Sequence, residues 1–284
     1  MSMFPASGAS FQPVISEVVN ACSEQPFVGE VIAPVQPVNI RTGKYVKVEA
    51  NQFNNDLSKP RAAGSNFAMA IGEYTSASFE ALEYGVDNQL DDIDIAQAET
   101  DAQFDVTASV AQRLRDDLRI GHEIRVANLM SAASFASNAA TAAMSVAASA
   151  TPIADINAAV FRLNANGIFG DIAVVIESSL YSEMLLTDQM KNLVNGAAWG
   201  PAWQTEQVAR VVGVDKIVVC NTRYNAALKG QTASTTKIWP TTSYYVAQLR
   251  GGSLSSGGAA RTLAYTERGG VFITETYRTE QPPA

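Results

Sequence analysis

Between residues 100 and 134, Val106, Val110, Leu114, Leu118, Gly121, Ile124 and Leu129 recur every three to five positions. That spacing lays one apolar stripe along an α-helix. Thirty or so helical residues span about 45 Å at about 1.5 Å each. Helices of globular proteins usually stop at about 10–14 residues, so this one needs an equally long surface to pack on. Asp101 and Asp105 stand near its start, where the helix dipole favours negative charge. Arg113–Asp117 and Arg119–Glu123 are four apart and are expected to pair across the outer face. The following tract, 131–150, is rich in Ala but broken by Ser, Thr and Asn. It reads as a linker and is too polar to cross a bilayer.

What precedes the helix is extended. Residues 1–40 carry Pro5, Pro13, Pro26, Pro34 and Pro37, and read as an arm with one short helix near 13–21. Residues 43–50 and 73–84 alternate as strands around a polar loop at 51–66, a two-stranded excursion out and back. Such a ribbon is marginal alone in water and should lie on something. After the helix comes an α/β unit. Thr151-Pro152 opens a helix buried through Ile153, Ile156, Val160 and Leu163, and Asn166-Gly167 ends it. Residues 171–177 and 216–220 read as buried strands, with a serine-capped helix at 178–186 and another at 206–212. Residues 187–203 and 222–236 read as loops. Three strand-like segments close the chain at 243–249, 261–266 and 271–277, the last two joined by Arg268-Gly269-Gly270. The fold class is therefore α+β.

Charge is scarce and unevenly placed. Only 17% of the residues are charged, against about 25% in typical soluble domains. A chain so short of surface charge is expected to hide surface against partners. Residues 1–100 hold 13 acidic and 5 basic side chains, whereas 101–284 hold 15 of each. The net −8 thus belongs to the first third, which argues against a protein built to grip nucleic acid. Within it, 83–105 contains Glu83, Asp87, Asp91, Asp92, Asp94, Glu99, Asp101 and Asp105 with no Lys or Arg. Just upstream, 41–61 is net +3, carrying Arg41, Lys44, Lys47, Lys59 and Arg61 against Glu49 and Asp56.

No motif supports catalysis. The single histidine, His122, lacks the second histidine of a zincin and the elbow of a serine hydrolase. A structural histidine is the expectation. Gly43-Lys44-Tyr45 is not a phosphate-binding loop, and Asp92-Ile93-Asp94 lacks the glycine and closing Glu of a calcium loop. Cys22 and Cys220 cannot form a disulfide framework or a zinc site, and both read as buried thiols. No catalytic residue, cofactor, metal or membrane span is expected. The N-terminus shows no signal peptide, and a reducing cytoplasm is the expected site of synthesis.

The order of these elements, with Pro37-Val38, Thr42-Gly43-Lys44-Tyr45, Arg61-Ala62-Ala63-Gly64, Leu90-Asp91-Asp92, Arg119 to Glu123, Pro152-Ile153-Ala154-Asp155-Ile156 and Gly213-Val214-Asp215-Lys216-Ile217-Val218-Val219, resembles the major capsid proteins of tailed bacteriophages. These have the Hong Kong 97-type fold. The resemblance implies an N-terminal arm at 1–40 and an extended β-hairpin, the E-loop, at 41–85. It implies a peripheral domain at 86–150 with a spine helix at about 101–134 and a linker. An axial domain follows at 151–240, with returning strands at 241–284. Many identical copies are then expected, as hexamers and pentamers of an icosahedral shell enclosing double-stranded DNA without reading its sequence. The site would be the virion, assembled in the host cytoplasm. Separate scaffolding and portal proteins, and cement proteins in some relatives, are the implied partners.

In that family the E-loop lies across a neighbouring subunit. Lys44, Lys47, Lys59 and Arg61 are thus candidates to meet Glu83, Asp87, Asp91, Asp92 and Asp94 of another copy. Trp199, Trp203 and Tyr224, in the long loops of the axial segment, are candidates for contacts around the capsomer axis, or for packing within their own unit. Two alternatives remain. An encapsulin-like shell shares the fold and encloses protein cargo, and an α/β enzyme is the more distant reading.

Overall fold

The computed structural model describes residues 10–11, 27–47, 75–91, 106–132, 137–194, 205–227, 230–251, 258–265 and 275–276. The elements run β1 (Ser10–Phe11), α1 (Gly29–Ile32), β2 (Val35–Val38), β3 (Thr42–Lys47), β4 (Thr75–Glu80) and the long helix α2 (Val106–Ala132). There follow α3 (Pro152–Ala165), β5 (Ile172–Glu177), α4 (Ser178–Leu186), α5 (Asp188–Val194), α6 (Thr205–Val212), β6 (Lys216–Cys220), β7 (Arg223–Asn225), β8 (Thr235–Lys237), β9 (Tyr245–Gln248), β10 (Thr262–Tyr265) and β11 (Glu275–Thr276). The fold is mixed helix and sheet, as the α+β expectation has it.

A three-stranded sheet ordered β6-β5-β9 organises the molecule, β6 parallel and β9 antiparallel to the central β5. All six residues of β5 are buried. A strand covered on both faces reads as a continuous apolar run, and Ile-Ala-Val-Val-Ile is one. Side chains of alternate parity enter two different cores. Ile172, Val174, Ile176 and Ile217 join Ile156, Leu180, Met184, Met190, Val208 and Val212, so helices α3 to α6 cover one face. Val175, Val218, Cys220 and Ala247 meet Val28, Ile32, Ala33, Val126, Ala127, Met130, Trp239 and Ala260 on the other. The surface that the long helix requires is this second face, shared with α1, the segment that follows β8 and the segment leading into β10.

The 27-residue helix α2 is about 40 Å long. Its buried positions are Ala111, Arg115, Glu123, Val126, Ala127 and Met130. This corrects the expected stripe: Val106, Val110, Leu114, Leu118, Gly121 and Ile124 are half-buried, and Leu129 is 52% exposed. The true face is turned by roughly 160° about the helix axis, nearly opposite the expected one. The expected Arg119–Glu123 pair on the outer face is also replaced. Glu123 is fully buried, and Arg119 pairs with Glu30 of α1 at 3.4 Å.

β3 and β4 form an antiparallel ribbon in which Thr42 faces Glu80 and Lys47 faces Thr75. Residues 48–74 between them, and the 13–21 segment read as helical, lie outside the described residues. The closing strands part company. β10 runs parallel to β2, and β11 pairs antiparallel with β1, so in the described residues they occupy different sheets instead of one hairpin. Chain ends far apart in sequence are thereby stitched together. Two segments read as loops contain structure: α5 lies within 187–203, and the β7–β8 ribbon spans most of 222–236 and ends one residue beyond it.

Caps differ from expectation as well. Thr151 makes no side-chain cap on α3; instead the Gln189 Oε1 accepts from the Ile153 N–H at 3.0 Å. Glu177, not a serine, caps α4 by accepting from the amides of Ser179 and Leu180.

Candidate functional site, a polar clasp on the long helix

Two polar clusters stand out in a largely apolar interior. The first lies where α2 meets the segment 27–38 and the later strands. Glu123 Oε1 accepts the indole Nε1–H of Trp239 at 2.8 Å, and Oε2 accepts the Val28 N–H at 3.3 Å. Its neighbour His122 joins Nε2 to the Thr262 Oγ1 at 2.8 Å, and that hydroxyl donates to the Ala33 carbonyl at 3.0 Å. One hydroxyl has one proton. With it committed to Ala33, the imidazole must be the donor, so Nε2 carries a proton.

Arg119 adds an ion pair to Glu30 and lies over the Phe27 ring, 5.4 Å from its centroid. Arg125 stacks 3.7 Å from the centroid of Tyr84, tying the run after β4 to the same helix. Two consecutive residues of one helix thus hold the 27–33 segment, β10 and the Trp239 turn. Burial pushes the His122 pKa below its ordinary value; Arg125 and Arg119 push the same way, and Glu30 opposes them.

α1 comes close because position 29 is glycine. A Cβ there would lie 3.1 Å from His122 Nδ1 and 3.3 Å from the Glu123 Cα. Gly29→Val should therefore lift α1 off α2. The expected cost is about 1–3 kcal/mol in a denaturation curve, as for other overpacked positions. An unchanged midpoint would refute this close fit.

The second cluster sits at the C-terminal end of β5. Glu177 Oε1 accepts from Lys237 Nζ at 2.8 Å and from Ser178 Oγ at 2.9 Å. Oε2 accepts from the Ser179 amide at 2.8 Å and from the Ser179 hydroxyl. Lys237 Nζ also donates to Ser179 Oγ at 2.9 Å, and Ser178 Oγ reaches Asn221 Oδ1 at 3.1 Å. Desolvation alone would raise this carboxyl. The Lys237 ammonium, the two serine hydroxyls and the Ser179 amide outweigh it and hold the group at about 2. Lys237 ends β8, so the cluster anchors the β7–β8 ribbon to the sheet. Cys220, between the clusters, is fully buried; burial pushes its thiol up, and the carboxylates of Glu123 and Glu177 add to that. Cys22 lies outside the described residues.

Neither cluster contains a residue from the candidate contact set. Lys44 is exposed on β3, and Glu83, Asp87 and Asp91 are exposed in the run after β4. Lys47 lies on β3, and Tyr224 is half-buried on β7. Lys59, Arg61, Asp92, Asp94, Trp199 and Trp203 lie outside the described residues. Among the described residues no group of three or more His, Cys, Asp or Glu is placed to hold a metal ion, and no helix is long and apolar enough to cross a membrane. Sequence reasoning missed Glu123, Trp239, Glu177 and Lys237. Their signal was faint: an acidic residue inside an apolar run, or at the end of a buried strand, which requires a partner wherever it is buried.

No family model and no curated protein matches the chain. Among solved structures, a phage-related protein of Bordetella bronchiseptica superposes with a TM-score of 0.58 at 14% identity, covering 82% of this chain and 76% of that one. The capsid of the cyanophage P-SCSP1u gives a TM-score of 0.48 at 15% identity, over 87% of this chain and 77% of that one. The first likeness shows a shared fold.

Proposed function

We propose that the chain is the major capsid protein of a tailed bacteriophage, with the Hong Kong 97-type fold, and that many copies close as hexamers and pentamers around double-stranded DNA. The observation that carries this reading is the fold itself: a strand ribbon, a 27-residue helix and a covered α/β sheet, in an arrangement shared over 82% of the chain with a phage-related protein. The sequence resemblance places the same elements in the same order. On this reading β3–β4 is the base of the E-loop, α2 the spine helix, and the β6-β5-β9 sheet with its helices the axial domain. The clasp then has a mechanical role, since it fixes the arm-side segment and the returning strand β10 to the spine. A charged fraction of 17% suits subunit edges buried in a shell, and an acidic balance suits a wall that must let DNA in and out.

Electron microscopy and size-exclusion chromatography of the full chain, expressed with and without its scaffolding partner, test this directly. Closed megadalton shells are expected. A stable monomer under both conditions would overturn the proposal, and particles that fill with protein cargo in place of DNA would point to an encapsulin-like compartment.

The unequal charge supplies a finer test. Lys59 and Arg61, in the basic stretch, would meet the acidic run from Glu83 of another copy, where partly dehydrated ion pairs set register. Lys59→Glu with Arg61→Glu should abolish closed shells while leaving the circular dichroism and thermal midpoint of the subunit unchanged. Normal shells from the double variant would refute the pairing.

A further inference from the structure

The histidine at the clasp is the only one in the chain, and it sits at a junction of three segments. Its Nε2–H is fixed by Thr262 of β10, whose hydroxyl is in turn fixed by the Ala33 carbonyl at the end of α1. Its Nδ1 faces Gly29 of α1, close enough that a Cβ there would stand 3.1 Å away. A second proton would have to go on Nδ1, on the side of the ring that faces Gly29 of α1.

The charges around the ring are unequal. From α2 itself, Arg119 and Arg125 face it; α1 contributes Glu30, which is already paired with Arg119; β10 contributes the neutral Thr262 hydroxyl. Glu123, next along the helix, is committed to Trp239 and Val28. Two cations against one engaged carboxylate disfavour an imidazolium.

We infer that His122 is an acid-release latch: at neutral pH it seats the segment 27–38 on the long helix, and its protonation lets that segment go. The sign follows from linkage. The seated state holds the imidazole neutral, below its ordinary value of 6.5, whereas the released state takes up the proton near that value. Seating is therefore at full strength above about pH 6.5 and weakens as the pH falls through it. The inference concerns the folded subunit and stands whether or not the chain builds a shell.

Two measurements on the full chain test it. In hydrogen–deuterium exchange, corrected for the intrinsic pH dependence, amides of 27–38 should lose protection severalfold, short of about tenfold, between pH 7.5 and 5.5, while those of β5 keep theirs. His122→Gln retains a donor to Thr262 without a titrating group, and should show the same protection at both pH values. An equal loss in wild type and variant would overturn the latch. Should the variant fail to fold, exchange at the imidazole Cε1–H of the wild type, read by mass spectrometry, still decides. A midpoint below 6.5 is expected, with the wild-type loss of protection at 27–38 confined between 6.5 and that midpoint; a loss outside this window, or a midpoint at or above 6.5, would overturn the proposal.

Discussion

Glu123→Ala is expected to lower the folding free energy at pH 7 by about 2–4 kcal/mol, the cost of leaving two buried donors unpaired together with the space the side chain filled. The side chain is fully buried, and it accepts from the Trp239 indole at 2.8 Å and the Val28 amide at 3.3 Å. Truncation strands two donors on the second core and leaves a cavity between α2 and the sheet. Glu123→Gln keeps one carbonyl acceptor and should cost less, about 1–2 kcal/mol. Glu123→Leu combined with Trp239→Phe removes both polar partners, so it should recover much of what Glu123→Leu alone loses. Urea denaturation of the four variants gives the comparison. A loss under about 1 kcal/mol in Glu123→Ala would mean that the buried carboxylate does not hold the clasp.

That contact also explains why the long helix was legible while its buried face was not. A periodicity of three to five over some 30 residues leaves few alternatives to a helix, and one duly forms from Val106 to Ala132. Orientation is a different matter. Reading apolar as buried selects Val110, Leu114 and Leu118, yet the face that docks carries Ala111, Arg115 and Glu123. The partners that make burial of Glu123 tolerable lie 95 and 116 residues away. No local window contains them.

The same distinction separates the strands. β5 was legible because burial on both faces demands an unbroken apolar run, whatever pairs beside it. β2, with Pro37 in its four residues, becomes a strand through a parallel partner at Thr262–Tyr265, and nothing near it announces that pairing. Helix α4 was legible in extent, but its cap was assigned to serine. Glu177 takes that role because its carboxylate, already facing Lys237, also points at the first free amides of the helix. Of the candidate contact residues, Lys44, Glu83, Asp87 and Asp91 are exposed on the subunit.

Lys237→Met should reveal the second anchor, and pH should distinguish it from a simple loss of packing. Glu177 is 2% exposed and Lys237 29%, so the pair is buried on the acid side and partly screened on the basic side. Breaking such a pair costs about 3–5 kcal/mol when both partners are buried, and screening reduces this to about 2–3 kcal/mol. The folded carboxyl is held at about 2, against an ordinary 4.5. A depressed carboxyl contributes its stability above the unfolded value and loses it as the pH falls toward the folded one. The stability gap between wild type and Lys237→Met should therefore be full at pH 7, begin to close below about pH 4.5, and be smallest near pH 2. Urea denaturation at pH 7, 4 and 3 measures that gap. Adding Glu177→Gln should bring Lys237→Met back toward wild type at pH 7, because the stranded charge is gone while an acceptor for the Ser179 amide remains. A gap that stays constant from pH 7 to 3 would assign the loss to the packing of the lysine stem, and the charge pair would no longer account for the anchoring of the β7–β8 ribbon.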